Sequence, residues 1–271
     1  MEGKKINRNG NLYTFVYATV LVVLVATLLA LCATGLKSRQ QQNVEAETKQ
    51  QILNTIGIPT TAAEAQAAFD RYVGQRYAVS RSGIENRQAD AFYINLKAEL
   101  AKADGEQQLP VFEATMPDGQ RKYIVPVRGN GLWGDIWGYV ALNDDLSTIY
   151  GIVFDHEAET PGLGAEIATP AFCKQFEGKS IFEGAQLTSV AVVKGGARPG
   201  DPHAVDAISG GTITSNGVQD MLQRSLERYS AYFGRVREQQ ARAAMVADTL
   251  AAADSLLAGS LVDTLSTINQ Q

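Results

Sequence analysis

The sequence predicts an α+β protein, in which a single N-terminal transmembrane helix is followed by a mixed, mostly antiparallel sheet domain with flanking helices. Three observations lead there. Leu12–Leu36 is an almost uninterrupted apolar block. Further on, five segments rich in Val, Ile, Tyr and Phe follow one another without regular intervening helices, which favours antiparallel pairing. After Ser215, Val218, Met221, Leu222, Leu226, Tyr229 and Phe233 recur at helical spacing.

The first element is set by the bilayer. No charged residue falls between Arg8 and Lys37, and about 20 apolar residues at 1.5 Å rise cross a hydrocarbon core. Tyr13 and Tyr17 sit where an interfacial aromatic belt is expected. A cleaved signal peptide is disfavoured, because its apolar region runs only about 7–15 residues and ends in a small-x-small site. Leu29-Ala30-Leu31-Cys32 supplies no such site, and the large Leu31 also argues against lipoprotein processing at Cys32. Lys4, Lys5 and Arg8 ahead of the span, against Lys37 and Arg39 behind it, place the N-terminus (1–11) in the cytoplasm and the main domain outside it.

Residues 37–49 (KSRQQQNVEAETK) read as a polar stalk, and residues 50–237 as the folded domain. Residues 61–103 are mostly helix-compatible, with Tyr77–Val79 and Phe92–Leu96 as possible short strands. The five strands are Leu109–Ala114, Arg121–Arg128, Ile136–Leu142, Leu146–Asp155 and Leu187–Val193, with Met116-Pro117-Asp118-Gly119 as a hairpin-type turn. Ser215 reads as the N-cap of the helix that follows. Residues 238–271 are Ala-rich, with Leu250, Ala253, Leu257, Leu261, Leu265 and Ile268 near helical spacing. They read as an amphipathic appendix or as a tail with nascent helix.

Composition excludes several classes. The formal net charge of −5 argues against a strongly basic nucleic-acid binder. One apolar block argues against a polytopic membrane protein. With only Cys32 and Cys173, the chain supplies no iron–sulfur cluster or structural zinc by itself. Fifteen of the 25 glycines fall between Gly129 and Gly217, marking a middle where backbone turns tightly or approaches something closely.

Three segments there carry chemistry. Gly129-Asn130-Gly131-Leu132-Trp133-Gly134 matches G-x-G-x-x-G, but a strand rather than a helix follows it, so the dinucleotide-binding context fails. It reads as a strand-to-strand loop in which Trp133 and Trp137 offer flat apolar surface, or as an ordinary hairpin with core tryptophans. Asp155-His156-Glu157-Ala158-Glu159-Thr160-Pro161-Gly162-Leu163-Gly164 closes a strand with carboxylates, a histidine and a Pro-Gly-x-Gly turn. Metal binding or acid–base work stands there beside a solvated acidic loop. In Asp206-Ala207-Ile208-Ser209-Gly210-Gly211-Thr212-Ile213-Thr214-Ser215, small and hydroxyl residues lead into a helix. That makes either an anion site at the helix N-terminus or simple N-capping. No lysine of the nucleotide-hydrolase kind sits in the loop.

The Asp206-x-x-Ser209-Gly210-Gly211-Thr212 segment resembles the D-x-x-[ST]-G-A-T signature at which a flavin transferase attaches FMN through its phosphate to a threonine, with Gly211 in place of Ala. Asn9-x-Asn11-Leu12-Tyr13-Thr14-Phe15, Gly-Leu-Trp-Gly at 131–134, Glu-Thr-Pro-Gly-Leu-Gly at 159–164 and Ser-Asn-Gly-Val at 215–218 are similar to the C subunits of the Na+-translocating NADH:quinone reductases. The resemblance covers about residues 5–235. It implies covalent FMN on Thr212, with Asp206, Ser209, Gly210, Gly211, Thr214 and Ser215 around the phosphate. Leu132, Trp133, Leu163 and Gly164 would wall the ring, and Glu159 and Thr160 would offer polar contacts. It further implies an electron relay in a bacterial inner-membrane complex that oxidises NADH, reduces quinone and exports Na+. The partners would be the other subunits and, during maturation, the flavin transferase. The alternatives are the G subunit of a ferredoxin-dependent Rnf-type complex, which shares the flavinylation motif, and a membrane-anchored binding module without redox function.

Overall fold

The computed structural model describes residues 10–268, with side chains of residues 10–247, 249 and 250. Lys4, Lys5, Arg8 and Asn9 lie outside the described residues, as do the side chains of Ala253, Leu257, Leu261, Leu265 and Ile268. Two compact units are present, residues 1–49 and 50–271.

The first unit is helix α1 (Asn11–Thr55) up to Lys49. It is the one described helix long and apolar enough to cross a membrane. Its threonines are satisfied locally. The hydroxyls of Thr19, Thr27 and Thr34 donate to the carbonyls four residues earlier at 2.9, 2.7 and 2.7 Å, so their polar groups are spent within the helix rather than left on its apolar surface.

In the second unit the order is α2 (Ala65–Tyr72), β1 (Val73–Val79), β2 (Glu85–Asn86), a 3-10 turn (Ala91–Tyr93), α3 (Leu96–Leu100), β3 (Leu109–Thr115), β4 (Arg121–Asn130), β5 (Asp135–Leu142) and β6 (Ile149–His156). Then come α4 (Pro170–Lys174), β7 (Phe182–Glu183), β8 (Gln186–Leu187), β9 (Ala191–Val193), β10 (Ala204–Asp206) and α5 (Thr212–Ile268). Six strands form one antiparallel sheet, ordered β2-β1-β3-β4-β5-β6. The short strand β2 sits at one edge, which limits the exposed backbone available for pairing with another chain.

Alternation along the strands sorts side chains to two faces. Phe112, Ile124 and Ala141 share one register row and pack with Phe69 of α2 and with Ile52, Leu53 and Ile56 from the last turns of α1. Tyr123 and Leu142 lie one residue along, on the opposite face. There they join Tyr77, Val125 and Val140 beneath α5, whose Val218, Met221, Leu222, Leu226, Tyr229 and Phe233 close the larger core. This is the helical spacing read in the sequence. A Cβ on Gly217 would lie 2.4 Å from the Asn130 carbonyl oxygen, so glycine lets α5 approach the end of β4.

Four local expectations are corrected. Phe92–Leu96 is not a strand: the Asp90 carboxylate accepts from the Phe92 N–H and opens a 3-10 turn, and Asn95 accepts from the Ala98 N–H and caps α3. The fourth predicted strand starts at Ile149 rather than Leu146. Leu146 has φ 49°, and Asp145 accepts from the amides of Ser147 and Thr148, so the segment turns first. Leu187–Val193 breaks at Ser189 (φ 59°), with β8 pairing with β7 and β9 running parallel to β10. Ser215 is not the N-cap. Its N–H donates to the Gly211 carbonyl at 2.8 Å, so the helix begins at Thr212, and its buried hydroxyl instead accepts from the Ile208 N–H at 3.0 Å.

Candidate functional site

Three connections meet at the N-terminal end of α5: the β4–β5 loop, the Glu159–Gly164 turn after β6, and the β10–α5 loop. Between them lies a cavity of about 240 Å3, walled by Leu132, Trp133, Glu159, Thr160, Leu163, Gly164, Gly210, Gly211, Thr212, Ile213 and Thr214. The side chains of Leu132, Trp133, Leu163 and Ile213 stay 47, 65, 43 and 58% exposed. Four large apolar groups around a mainly apolar cavity with a few polar side chains suit a flat apolar ligand.

Glu159 ties the three connections together. It is 4% exposed, and its carboxylate accepts from the Trp133 N–H at 2.8 Å and from the Thr214 hydroxyl at 2.6 Å. No cation is paired with it among the described residues, so these two bonds carry the cost of burying the carboxylate. Two glycines leave room for it: a Cβ at Gly131 would lie 2.4 Å from one carboxylate oxygen, and a Cβ at Gly164 2.1 Å from the other. The Glu159 amide donates to His156 Nδ1 at 3.3 Å. The turn itself closes through Leu163 and Ala165 amides bonded to the Thr160 carbonyl, with Gly162 at φ 76°.

The two threonines of the leading turn of α5 differ sharply. Thr214 is 1% exposed and committed to Glu159, whereas Thr212 is exposed at the cavity wall. The first amides of a helix have no intrahelical acceptor, and the helix dipole adds partial positive charge there. Thr212, Ile213 and Thr214 therefore bring an anion-binding helix end to the cavity. Gly210, at φ 76°, turns the chain into it.

Of the thirteen residues singled out in the sequence, ten wall this cavity. Asp206, Ser209 and Ser215 do not. Asp206 accepts from the Ala197 N–H at 2.7 Å and thereby holds the 195–200 loop, with its own N–H donating to Gln175. Ser209 is exposed beside the cavity, and Ser215 is buried under the loop. Ile213 was missed; an exposed branched apolar residue between two threonines was its only signal. Trp137 also lies elsewhere, on β5, with the Arg128 guanidinium 5.7 Å from its ring centre. In the acidic run, Asp155 accepts from Gln51 at 2.8 Å and Glu157 from the Asp135 N–H at 3.4 Å. Among the described residues no group of three His, Cys, Asp or Glu side chains is placed to hold a metal ion.

An ion triad pins the start of β5. Asp135 accepts from Lys97 of α3 at 2.8 Å and from Arg128 of β4. These hydrogen bonds, Lys97's first, hold its carboxyl below the usual aspartate range. A depressed folded pKa gives stability that is present above the unfolded value, about 3.9, and is lost as pH falls through the folded value. Unfolding midpoints measured down through pH 4 should therefore fall more steeply for the wild type than for Asp135→Asn. Equal slopes would show that the triad carries no stability.

Comparison with known proteins agrees with this geometry. Residues 131–227, which span all three cavity segments, match the FMN-binding domain family. The C subunit of the Na+-translocating NADH-quinone reductase of Vibrio anguillarum is 32% identical over 229 residues, 79% of this chain and 89% of the relative. The corresponding Yersinia pestis protein is 31% identical over 246 residues, covering 83% and 92%. Among solved structures, the C subunit from Parabacteroides distasonis superposes with a TM-score of 0.68 at 43% identity, over 73% of this chain and 96% of that one. NqrC of Shewanella oneidensis gives a TM-score of 0.63 at 26% identity, over 72% and 98%. With an exposed threonine, a helix end and an apolar rim converging within the matched segment, the chain belongs to the family of C subunits of the Na+-translocating NADH-quinone reductases and carries its FMN-binding domain.

Proposed function

We propose that this chain is the FMN-carrying electron-relay subunit of a membrane complex that oxidises NADH, reduces quinone and exports Na+, with FMN attached through its phosphate to Thr212. The observation that carries the attachment is the division of labour in the first turn of α5: the Thr214 hydroxyl is buried and spent on Glu159, and the Thr212 hydroxyl is exposed at the cavity.

The residues present fit FMN. Thr212 offers the oxygen for a phosphodiester, and the free amides at the start of α5 offset the phosphate charge. Trp133, Leu132, Leu163 and Ile213 supply apolar surface for the ring. Gly131 and Gly164 keep the Glu159 carboxylate in the wall, where added methyl groups would displace it. Bound there, FMN supplies the electron chemistry, and the chain positions and shields it. The chain itself is not a catalyst; it acts within the assembled complex.

The membrane helix has no charged residue between Arg8 and Lys37, so the coupling ion passes through other subunits. We place the N-terminus in the cytoplasm and the flavin domain in the periplasm, after maturation by a flavin transferase.

The test is intact-mass measurement of the full chain co-produced with its flavin transferase. An increase equal to one FMN less one water is expected. A chain of unmodified mass and no flavin absorbance would leave a non-redox membrane-anchored module.

A further inference from the structure

The cavity at the head of α5 has a one-sided charge balance. Among the described residues that wall it, Glu159 is the one charged side chain, and none is Lys, Arg or His. Arg128, just ahead of the β4–β5 loop, is spent on Asp135. His156 stands close, but its Nδ1 accepts from the Glu159 N–H at 3.3 Å, so that nitrogen holds no proton and the imidazole brings no positive charge.

Only neutral donors face the carboxylate. The Trp133 N–H bonds one oxygen at 2.8 Å and the Thr214 hydroxyl the other at 2.6 Å, which makes burial of the charge tolerable without cancelling it. The remaining positive element is the N-terminal end of α5, whose dipole acts only within its first turn. On the reading proposed above, that end is matched to the FMN phosphate at Thr212. The flavin ring would then share its cavity with a fixed negative charge and no side-chain cation. FMN that takes up two electrons and one proton carries one negative charge on its ring, and with two protons it carries none. A carboxylate fixed in the wall opposes the charged state and leaves the neutral, oxidised ring unaffected.

We propose that Glu159 sets the redox poise of this site: its buried carboxylate penalises negative charge on the reduced ring and so holds the bound flavin at a more negative potential, as a stronger reductant. The inference rests on FMN occupying the cavity. Two unit charges about 8 Å apart, at an effective dielectric of about 20, shift an equilibrium roughly thirtyfold. The mouth is open, with Trp133 65% exposed, and solvent there weakens the effect. A change of about ten- to thirtyfold in the ratio of oxidised to reduced flavin is about 30–45 mV for a two-electron couple. Gly131 and Gly164 thereby gain a purpose beyond packing, since a Cβ on either would displace the charge.

The test is a reductive titration of the full flavin-loaded chain in detergent micelles against a reference dye, followed by the visible absorbance of the flavin. Dithionite supplies the electrons and an alkaline buffer the proton, so that the reduced ring keeps its charge. Glu159→Gln, which removes the charge and keeps the shape, should raise the midpoint potential by about 30–45 mV. Thr160→Lys, at an exposed position of the same wall, adds a cation without touching the buried carboxylate and should move the potential in the same direction. Thr214→Ala removes a donor and leaves the charge, so its potential should stay equal or become more negative. A loosened site would instead move Glu159→Gln and Thr214→Ala alike, and that result would overturn the proposal. So would flavin present in Glu159→Gln and Thr160→Lys with its potential unmoved in both. A wild-type chain without flavin absorbance would overturn the reading on which the proposal rests, and the proposal with it.

Discussion

Thr212→Ala abolishes the flavin fluorescence that survives denaturing electrophoresis, while Thr214→Ala keeps the band and loses stability instead. Both follow from one turn of helix. The Thr212 hydroxyl is exposed at the cavity, reachable by a modifying enzyme and beside the free amides of α5. Thr214 is buried, and its hydroxyl is one of two donors to a carboxylate with no paired cation among the described residues. Removing a hydrogen bond to a buried charged group costs about 1.5–3 kcal/mol. For a domain of this size each kcal/mol moves the melting temperature by about 2–4 °C. Thr214→Ala should thus melt several degrees lower with its flavin still attached, and Thr214→Ser, which keeps the donor, should recover most of the loss. A flavin band retained in Thr212→Ala and lost in Thr214→Ala would move the bond to the other threonine.

The contrast also marks what one sequence can disclose. Strands β3, β4 and β5 were legible because one face is buried under α5 and the other under α1 and α2, and alternating apolar residues record both faces. Helix α1, long and apolar enough to cross a membrane, was legible from its length and its uninterrupted apolar composition. The turns at Asp90, Asn95 and Asp145 were misread because a short side chain bonding nearby amides overrides β-propensity, leaving little trace in hydrophobic pattern. At the site, the loops announced themselves by composition, and the motif singled out Thr212. What no local pattern carries is the Glu159–Thr214 bond, which joins residues 55 positions apart. Asp206 shows the same limit in reverse. It belongs to the motif, yet in the fold its carboxylate holds a neighbouring loop.

Gly164→Ala is expected to be the most damaging single methyl group near the cavity, and the reason is space rather than torsion. A Cβ there would lie 2.1 Å from Glu159 Oε2 and 2.6 Å from Thr214 Oγ1, so it would push apart the hydrogen bond on which the buried carboxylate depends. Overpacking of about 1–3 kcal/mol adds to the loss of a charged hydrogen bond of about 1.5–3 kcal/mol. A total of about 2.5–6 kcal/mol should lower the melting temperature by about 5–24 °C. Gly162→Ala, two residues earlier, is the control. That glycine has φ 76° and nothing within 4 Å of a built Cβ, so its substitution costs only the left-handed torsion, about 1–2 kcal/mol. The mechanism predicts non-additivity as well. In a Glu159→Ala background the obstructing carboxylate is gone and Thr214 is free to rotate, so adding Gly164→Ala should cost under about 1 kcal/mol in urea unfolding of the full chain. Equal increments in both backgrounds would mean that Gly164 is required by its backbone and not by Glu159, and that the buried carboxylate is not what holds the three loops together.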